Sequence, residues 1–153
     1  TWGLDAREFF FQEDGIILVE GQEDVLLYPE IAKQLGKEIQ GSFFGWGAGG
    51  ADNIPHLCSI AKDLGFKRVA AILDGDKKDC FEDLKNNFSE YHFEIIPADD
   101  IRTKPARKAN LEKPGLLDKG KDKDLVLQSK YFEAMNSIVD NLNCYLQDEG
   151  THC

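Results

Sequence analysis

The 153-residue sequence predicts an α/β fold, a mostly parallel four-stranded sheet with helices on both faces and a further helix at the C-terminus. Three observations predict it. Short apolar runs, such as Ile16–Val19 and Val69–Leu73, alternate with segments of helical periodicity. Glycines mark the changes from one to the other, at Gly21, Gly36 and Gly65. Two of the apolar runs end in acid, the first at Glu20 and the later one at Asp74-Gly75-Asp76.

Taken in order, Ile16–Glu20 reads as a buried strand, with β-branched and aliphatic residues throughout. Glu23–Leu35 reads as a helix. Asp24 lies in its first turn, where the helix dipole favours an acid, and Ile31, Ala32 and Leu35 share an apolar face. Gly36 stops it. Glu38–Trp46 predicts a second strand, and Gly45–Gly50 a flexible turn. Asp52 or Asn53 caps a second helix that runs to Leu64. Val69–Leu73 is the third strand, Asp79–Phe88 the third helix, and His92–Ile96 a fourth strand closed by Pro97. From Ala98 to Asp124 the charges and the prolines Pro105 and Pro114 predict a long, irregular, solvent-facing loop. Helical spacing resumes over Leu125–Leu146, and the tail from Gln147 is expected to fray. The expected division is a leading segment 1–13, a core 14–100, a charged loop 101–124 and a C-terminal helix 125–148.

The chain is 42% hydrophobic and 30% charged, which places it among globular proteins rather than disordered or fibrous ones. No apolar run approaches the ~20 residues of a membrane span, no signal peptide opens the sequence, and no membrane partner is expected. Cys58, Cys80, Cys144 and Cys153 show no CxxC spacing. They read as reduced thiols of a cytoplasmic protein, with Cys58 and Cys144 in the core. A sequence that starts at Thr1, with Trp2 and Phe9–Phe11 close behind, is expected to be a piece of a longer polypeptide. Net charge is −10. Strong grip on a phosphate backbone needs Lys and Arg, so this balance disfavours tight nucleic-acid binding by the domain alone while leaving nucleic acid open as a substrate. Basic residues crowd the span from Arg102 to Lys123, where a solvated surface loop explains them as well as a binding role does.

The two acidic turns carry the chemistry. In an open α/β sheet, ligands bind at the carboxyl ends of the strands. Glu20 and Asp24 belong to one such end, and Asp74, Asp76 and Asp79 to another. Like charges brought this close repel strongly and are tolerated mainly when a cation neutralises them. Oxygen ligands without His or Cys point to Mg²⁺ or Mn²⁺ rather than zinc. Other sites are absent from the sequence. Gly45-Trp46-Gly47-Ala48-Gly49-Gly50 is not a GxGxxG at the first strand, and no GxxxxGK[ST] occurs. His56, His92 and His152 lack ligand spacing, and no Ser-His-Asp arrangement is visible.

Val19-Glu20-Gly21-Gln22-Glu23-Asp24 followed by Leu73-Asp74-Gly75-Asp76 resembles the Toprim (topoisomerase–primase) domain, a Rossmann-like fold. That family has a Glu after its first strand and an Asp-x-Asp after a later one, here Glu20, Asp74 and Asp76. With Asp24 and the segment Ile96–Lys104, the chain is more particularly similar to the Toprim nuclease domain of OLD-family (overcoming lysogenization defect) ATP-dependent endonucleases. There the domain follows an ABC-type ATPase. The resemblance implies metal-dependent hydrolysis of phosphodiester bonds, in DNA or RNA with DNA favoured, and a role in anti-phage defence. It implies two divalent ions about 4 Å apart, one activating water and one stabilising the leaving oxygen. Glu20, Asp74 and Asp76 would be ligands, with Asp24 and Asp100 completing the second ion's site and Asp99 the alternative to Asp100. Glu20 and Lys104 are the catalytic candidates, Lys104 or Arg102 offsetting charge on the phosphate. Arg102, Arg107 and Lys108 are the candidate nucleic-acid contacts. The ATPase region and the oligomer contacts would lie outside this sequence. Three rivals remain. A phosphotransfer receiver also ends its strands in acid, but carries an acidic pair where this chain has Glu20-Gly21. A haloacid-dehalogenase-like phosphatase shares the DxD strand, but opens its fold with it. A catalytically idle Toprim assembly module is the third.

Overall fold

Two strands with every residue buried set the architecture: β1 (Ile16–Val19) and β3 (Val69–Leu73). A computed structural model describes residues 15–105 and 112–147 of the chain. β1 and β3 pair in parallel, with Val19 opposite Ile72. β2 (Ser42–Phe43) flanks β1, and β4 (His92–Ile95) flanks β3, giving an all-parallel sheet of order β2-β1-β3-β4. Strands buried on both faces need cover on both, which parallel crossovers supply.

The pleat divides the core in two. Ile17, Val19, Ala70 and Ile72 face one side, with Tyr28 and Ile31 of α1 (Gln22–Gln34) and Met135, Ile138, Leu142 and Leu146 of α4 (Phe132–Gln147). Ile16, Leu18, Val69, Ala71 and Leu73 face the other, with Ile54, Cys58 and Ala61 of α2 (Asn53–Asp63) and Leu84 of α3 (Lys78–Asn87). Each fully buried aliphatic side chain is worth about 1.5–3 kcal/mol, so these two layers fix where the strand ends fall. The predicted fold class holds. Among the described residues no helix is long and apolar enough to cross a membrane.

Beyond β4 the structure departs from expectation. The span read as a charged loop contains β5 (Asp100–Arg102) and β6 (Gly115–Lys119). The start of the predicted C-terminal helix is instead β7 (Leu125–Leu127), and after a 3₁₀ turn at Ser129–Tyr131 the helix begins only at Phe132. These strands form a second sheet, β5 parallel to β6 and β6 antiparallel to β7. The hairpin between β6 and β7 closes on Gly120 and Asp124, with Lys123 at φ 66°. Ile101, Leu116, Leu117 and Leu127 are buried and join the first core layer, which is why this charged stretch is ordered strand rather than loop.

Smaller differences follow from local packing. The second strand is only two residues long, and the Gly45–Gly50 turn is tied down: the Ala48 and Gly50 N–H groups donate to the Val19 and Glu20 carbonyls at 2.7 and 2.8 Å. Cys58 is buried as expected, but Cys144 is only half-buried and is disulfide-bonded, not a reduced core thiol. Trp2, Phe9–Phe11, Arg107, Lys108, His152 and Cys153 lie outside the described residues.

β6 approaches β5 so closely that a Cβ at Gly115 would fall 1.9 Å from the Arg102 carbonyl carbon. Gly115→Ala should therefore push the two strands apart and destabilise the domain by about 1–3 kcal/mol, the usual cost of overpacking. Thermal unfolding followed by circular dichroism reads this directly. A wild-type melting temperature would mean the approach is not this tight.

Candidate functional site

The carboxyl edge of the parallel sheet is where the predicted residues gather. β1 runs straight into Glu20, and Gly21 then serves as the N-cap of α1 in an extended conformation. Asp24 sits three residues on and accepts the Gly21 N–H at 3.0 Å, the returning half of a capping box. The helix-cap role therefore explains one oxygen of Asp24, but not its burial at 7% exposure.

β3 runs into Asp74, whose N–H donates to Glu20 Oε2 at 2.8 Å. That bond ties the two acidic turns together. Between the acids, Gly75 donates its N–H to the Ala98 carbonyl at 2.8 Å, and a Cβ there would lie 2.4 Å from that oxygen. No larger residue fits between the end of β3 and the segment leading to β5. The glycine of Asp74-Gly75-Asp76 thus brings that segment, and with it Asp100, against the site. Asp100 is the most enclosed of the acids, 4% exposed, with Oδ1 accepting the Ile101 N–H at 2.7 Å.

The electrostatics show which acids share one space. Burial, followed by the fields of Glu20, Asp24 and Asp100 and a hydrogen bond with the Glu20 carboxyl, pushes the Asp74 carboxyl up to about 8. Burial and the charges of Glu20, Asp100 and Glu23 push Asp24 up to about 6, against the opposing Gly21 hydrogen bond. Tyr28, fully buried, is raised well above its ordinary value by burial and then by Asp24, Asp74, Glu20 and Asp100. Glu20, Asp24, Asp74 and Asp100 therefore form one mutually repelling group over Tyr28. Asp76 stands apart from it. It is exposed, and is joined to Asp100 through Lys113, whose Nζ lies 3.2 Å from Asp76 Oδ2 and 3.6 Å from Asp100 Oδ2. Burial alone would lower the Lys113 ammonium, but the Asp76 hydrogen bond and the fields of Asp76, Asp100 and Asp74 outweigh it and leave it raised.

The other cations are also engaged. Lys104 Nζ lies 2.8 Å from Asp100 Oδ2 and 3.9 Å from Glu23 Oε2. Arg102 pairs through Nε with Glu23. Asp99 is exposed and lines a cleft with Asp52, Asp76 and Asp79. Glu23 reads in the sequence as an ordinary first-turn acid and Tyr28 as part of a helix, and nothing local singles out Lys113 within the basic span, because the pairing of β5 with β6 joins residues distant in sequence. His92 is structural, bonded to Glu94 at 2.8 Å and stacked on Tyr145.

Among the described residues no three His, Cys, Asp or Glu side chains already stand as a metal cage. The donor chemistry nonetheless fits a hard divalent cation. Four carboxyl groups converge, and two of them, Asp24 and Asp74, are raised above the ordinary carboxylate range by burial and then by the charges of their neighbours. A cation there would relieve that repulsion.

A parallel sheet whose carboxyl edge gathers acids from successive βα turns is the architecture of ligand- and metal-handling α/β domains. The particular kind is given by residues 10–76, which match the family model of the TOPRIM domain of overcoming lysogenization defect protein-like proteins. Over that stretch the chain is similar to an OLD-like Toprim domain, a type associated with nuclease-type metal binding. The match takes in Glu20, Asp24, Asp74 and Asp76 and stops short of Asp100, Lys104 and Lys113. Comparison with curated proteins and with solved structures finds no match.

The raised carboxyls set a pH dependence. Asp74 and Asp24 hold protons when folded at pH values where the unfolded chain, with carboxyls near 3.8, has lost them. Stability falls with pH wherever the native state binds more protons. Without divalent metal, the contribution of Asp24 should decline from about 4 to 6, and that of Asp74 from about 4 to 8. Asp74→Asn should flatten the upper part of that decline. Melting temperatures of the two proteins across this range check it, and parallel curves would contradict the assignment.

Proposed function

We propose that this domain hydrolyses nucleic-acid phosphodiester bonds with divalent cations held at the carboxyl edge of its sheet. The observation that carries the reading is the convergence of Glu20, Asp24, Asp74 and Asp100 from three separate segments into one repelling group, with lysines at its rim. The OLD-like Toprim match over both acidic turns supports it.

Glu20 and Asp74, tied by the 2.8 Å hydrogen bond, would hold one cation, and Asp24 and Asp100 would complete the ligand set. Asp76 would contribute from the exposed side. These residues would hold Mg²⁺ or Mn²⁺, which would supply activation of a water and charge neutralisation at the scissile phosphate. Asp74 must give up its proton for this, so metal binding should release protons and tighten as pH rises. Lys104, at the rim of the group beside Asp100, would meet a phosphate oxygen. Arg102, engaged by Glu23, holds β5 to the first turn of α1 and so positions Lys104 and Asp100. With a net charge of −10, the cations and these few basic side chains must carry the attraction for a polyanion. DNA is the proposed substrate, with Arg107 and Lys108 as further contacts. An ABC-type ATPase region, oligomer contacts through other regions, a cytoplasmic setting and a role in anti-phage defence belong to the same proposal.

Cleavage of supercoiled plasmid in Mg²⁺, Mn²⁺ or EDTA, by this domain and by a longer parent chain, tests it. Metal-dependent nicking is expected. Asp74→Ala should abolish it without unfolding the metal-free domain, since one repelling acid is removed. Lys104→Ala should slow single-turnover cleavage by ~10²-fold, the scale of one positioned electrostatic donor. Wild-type rates for Asp74→Ala would defeat the reading.

A further inference from the structure

Two lysines converge on one carboxylate oxygen. Lys104 and Lys113 face each other across the opening of the second sheet, their backbones joined by reciprocal N–H to carbonyl hydrogen bonds of 3.1 Å each. This register delivers both ammonium groups to Asp100 Oδ2, at 2.8 and 3.6 Å. The other oxygen of Asp100 already accepts the Ile101 N–H. A cation that binds Asp100 through Oδ2 must therefore displace or share the oxygen these ammonium groups hold. Lys113 reaches further, to Asp76 Oδ2 at 3.2 Å, and so spans the two acids on the open side of the site. Its side chain remains 40% exposed, so it can swing out while its pinned backbone stays in place.

Resting on the function proposed above, we propose that Lys113 is a displaceable plug. Its ammonium stands in for a second divalent cation between Asp76 and Asp100, and leaves when that cation binds. The freed ammonium has one obvious new partner, a phosphate oxygen of the substrate. Metal and phosphate then favour each other's binding, because the metal frees Lys113 for the phosphate and the phosphate draws Lys113 away from the acids the metal needs. The acidic edge without substrate is held neutralised by the chain's own cations, and the second ion is admitted together with the strand to be cut.

Removing the Lys113 ammonium removes both a competitor for Asp100 and a positive charge that would repel the ion. Mn²⁺ binding to the domain alone, counted by calorimetry and by electron paramagnetic resonance, should resolve a tighter and a weaker class. Lys113→Met should tighten the weaker class about tenfold, the scale of two partly exposed ion pairs, and leave the tighter class unchanged. Lys113→Arg, which keeps the charge, should retain the wild-type weaker class. An unchanged or weakened second class in Lys113→Met overturns the plug while leaving the metal site intact. Absence of Mn²⁺ binding by both wild type and Lys113→Met overturns the metal reading and the plug with it.

Discussion

Repulsion among carboxylates that the backbone will not let separate is the constraint on which the rest of this domain depends. Glu20 and Asp74 end strands whose every residue is buried, and those strands are locked in register by parallel pairing. The acids cannot drift apart without breaking the sheet. The chain answers in two ways. The carboxyls of Asp74 and Asp24 are raised, so each keeps its proton to a higher pH than a free carboxyl does. Cations are brought in, from Lys104, Lys113 and Arg102. Neither answer removes the cost of confining negative charge, and a bound divalent ion would meet it more fully than either.

The second sheet is best understood as the source of those cations. It contributes Ile101, Leu116, Leu117 and Leu127 to the core beneath α1 and α4, which fixes it to the main sheet. Its opening end then faces the acidic turns. β5 carries Asp100, Arg102 and, one step beyond, Lys104, while Lys113 comes from the strand approaching β6. Packing thus converts a basic stretch of sequence into a few placed charges. The glycines at 75 and 115 allow the close approach on which this placement rests.

Much of this was legible in the sequence, and what was not had physical reasons. β1 and β3 stood out because buried parallel strands read as unbroken apolar runs, and Glu20 and Asp74 because each interrupts such a run with acid. β5 and β7 are three residues long, Asp100–Arg102 and Leu125–Leu127, too short for alternation to register. Their pairing through β6 depends on contacts between distant residues that no local pattern encodes. Leu125 and Val126 also fit the helical spacing of the residues that follow, so the sequence pattern starts the helix at Leu125, seven residues before its true start at Phe132. Among the lysines of the basic stretch, only the cross-strand register singles out Lys113. The grouping of Asp100 with Glu20, Asp24 and Asp74, and the separation of Asp76 from them, likewise follow from burial rather than spacing.

The central claim is that this edge, and not the general acidity of the surface, takes a divalent cation. Paramagnetic broadening of backbone amide signals by substoichiometric Mn²⁺ tests that most directly. The amides of Gly21, Asp74 and Ile101 should broaden first, because each donates to a carboxylate of Asp24, Glu20 or Asp100. Broadening confined to the exposed cleft of Asp52, Asp79 and Asp83, or spread evenly over the acidic surface, would contradict the account.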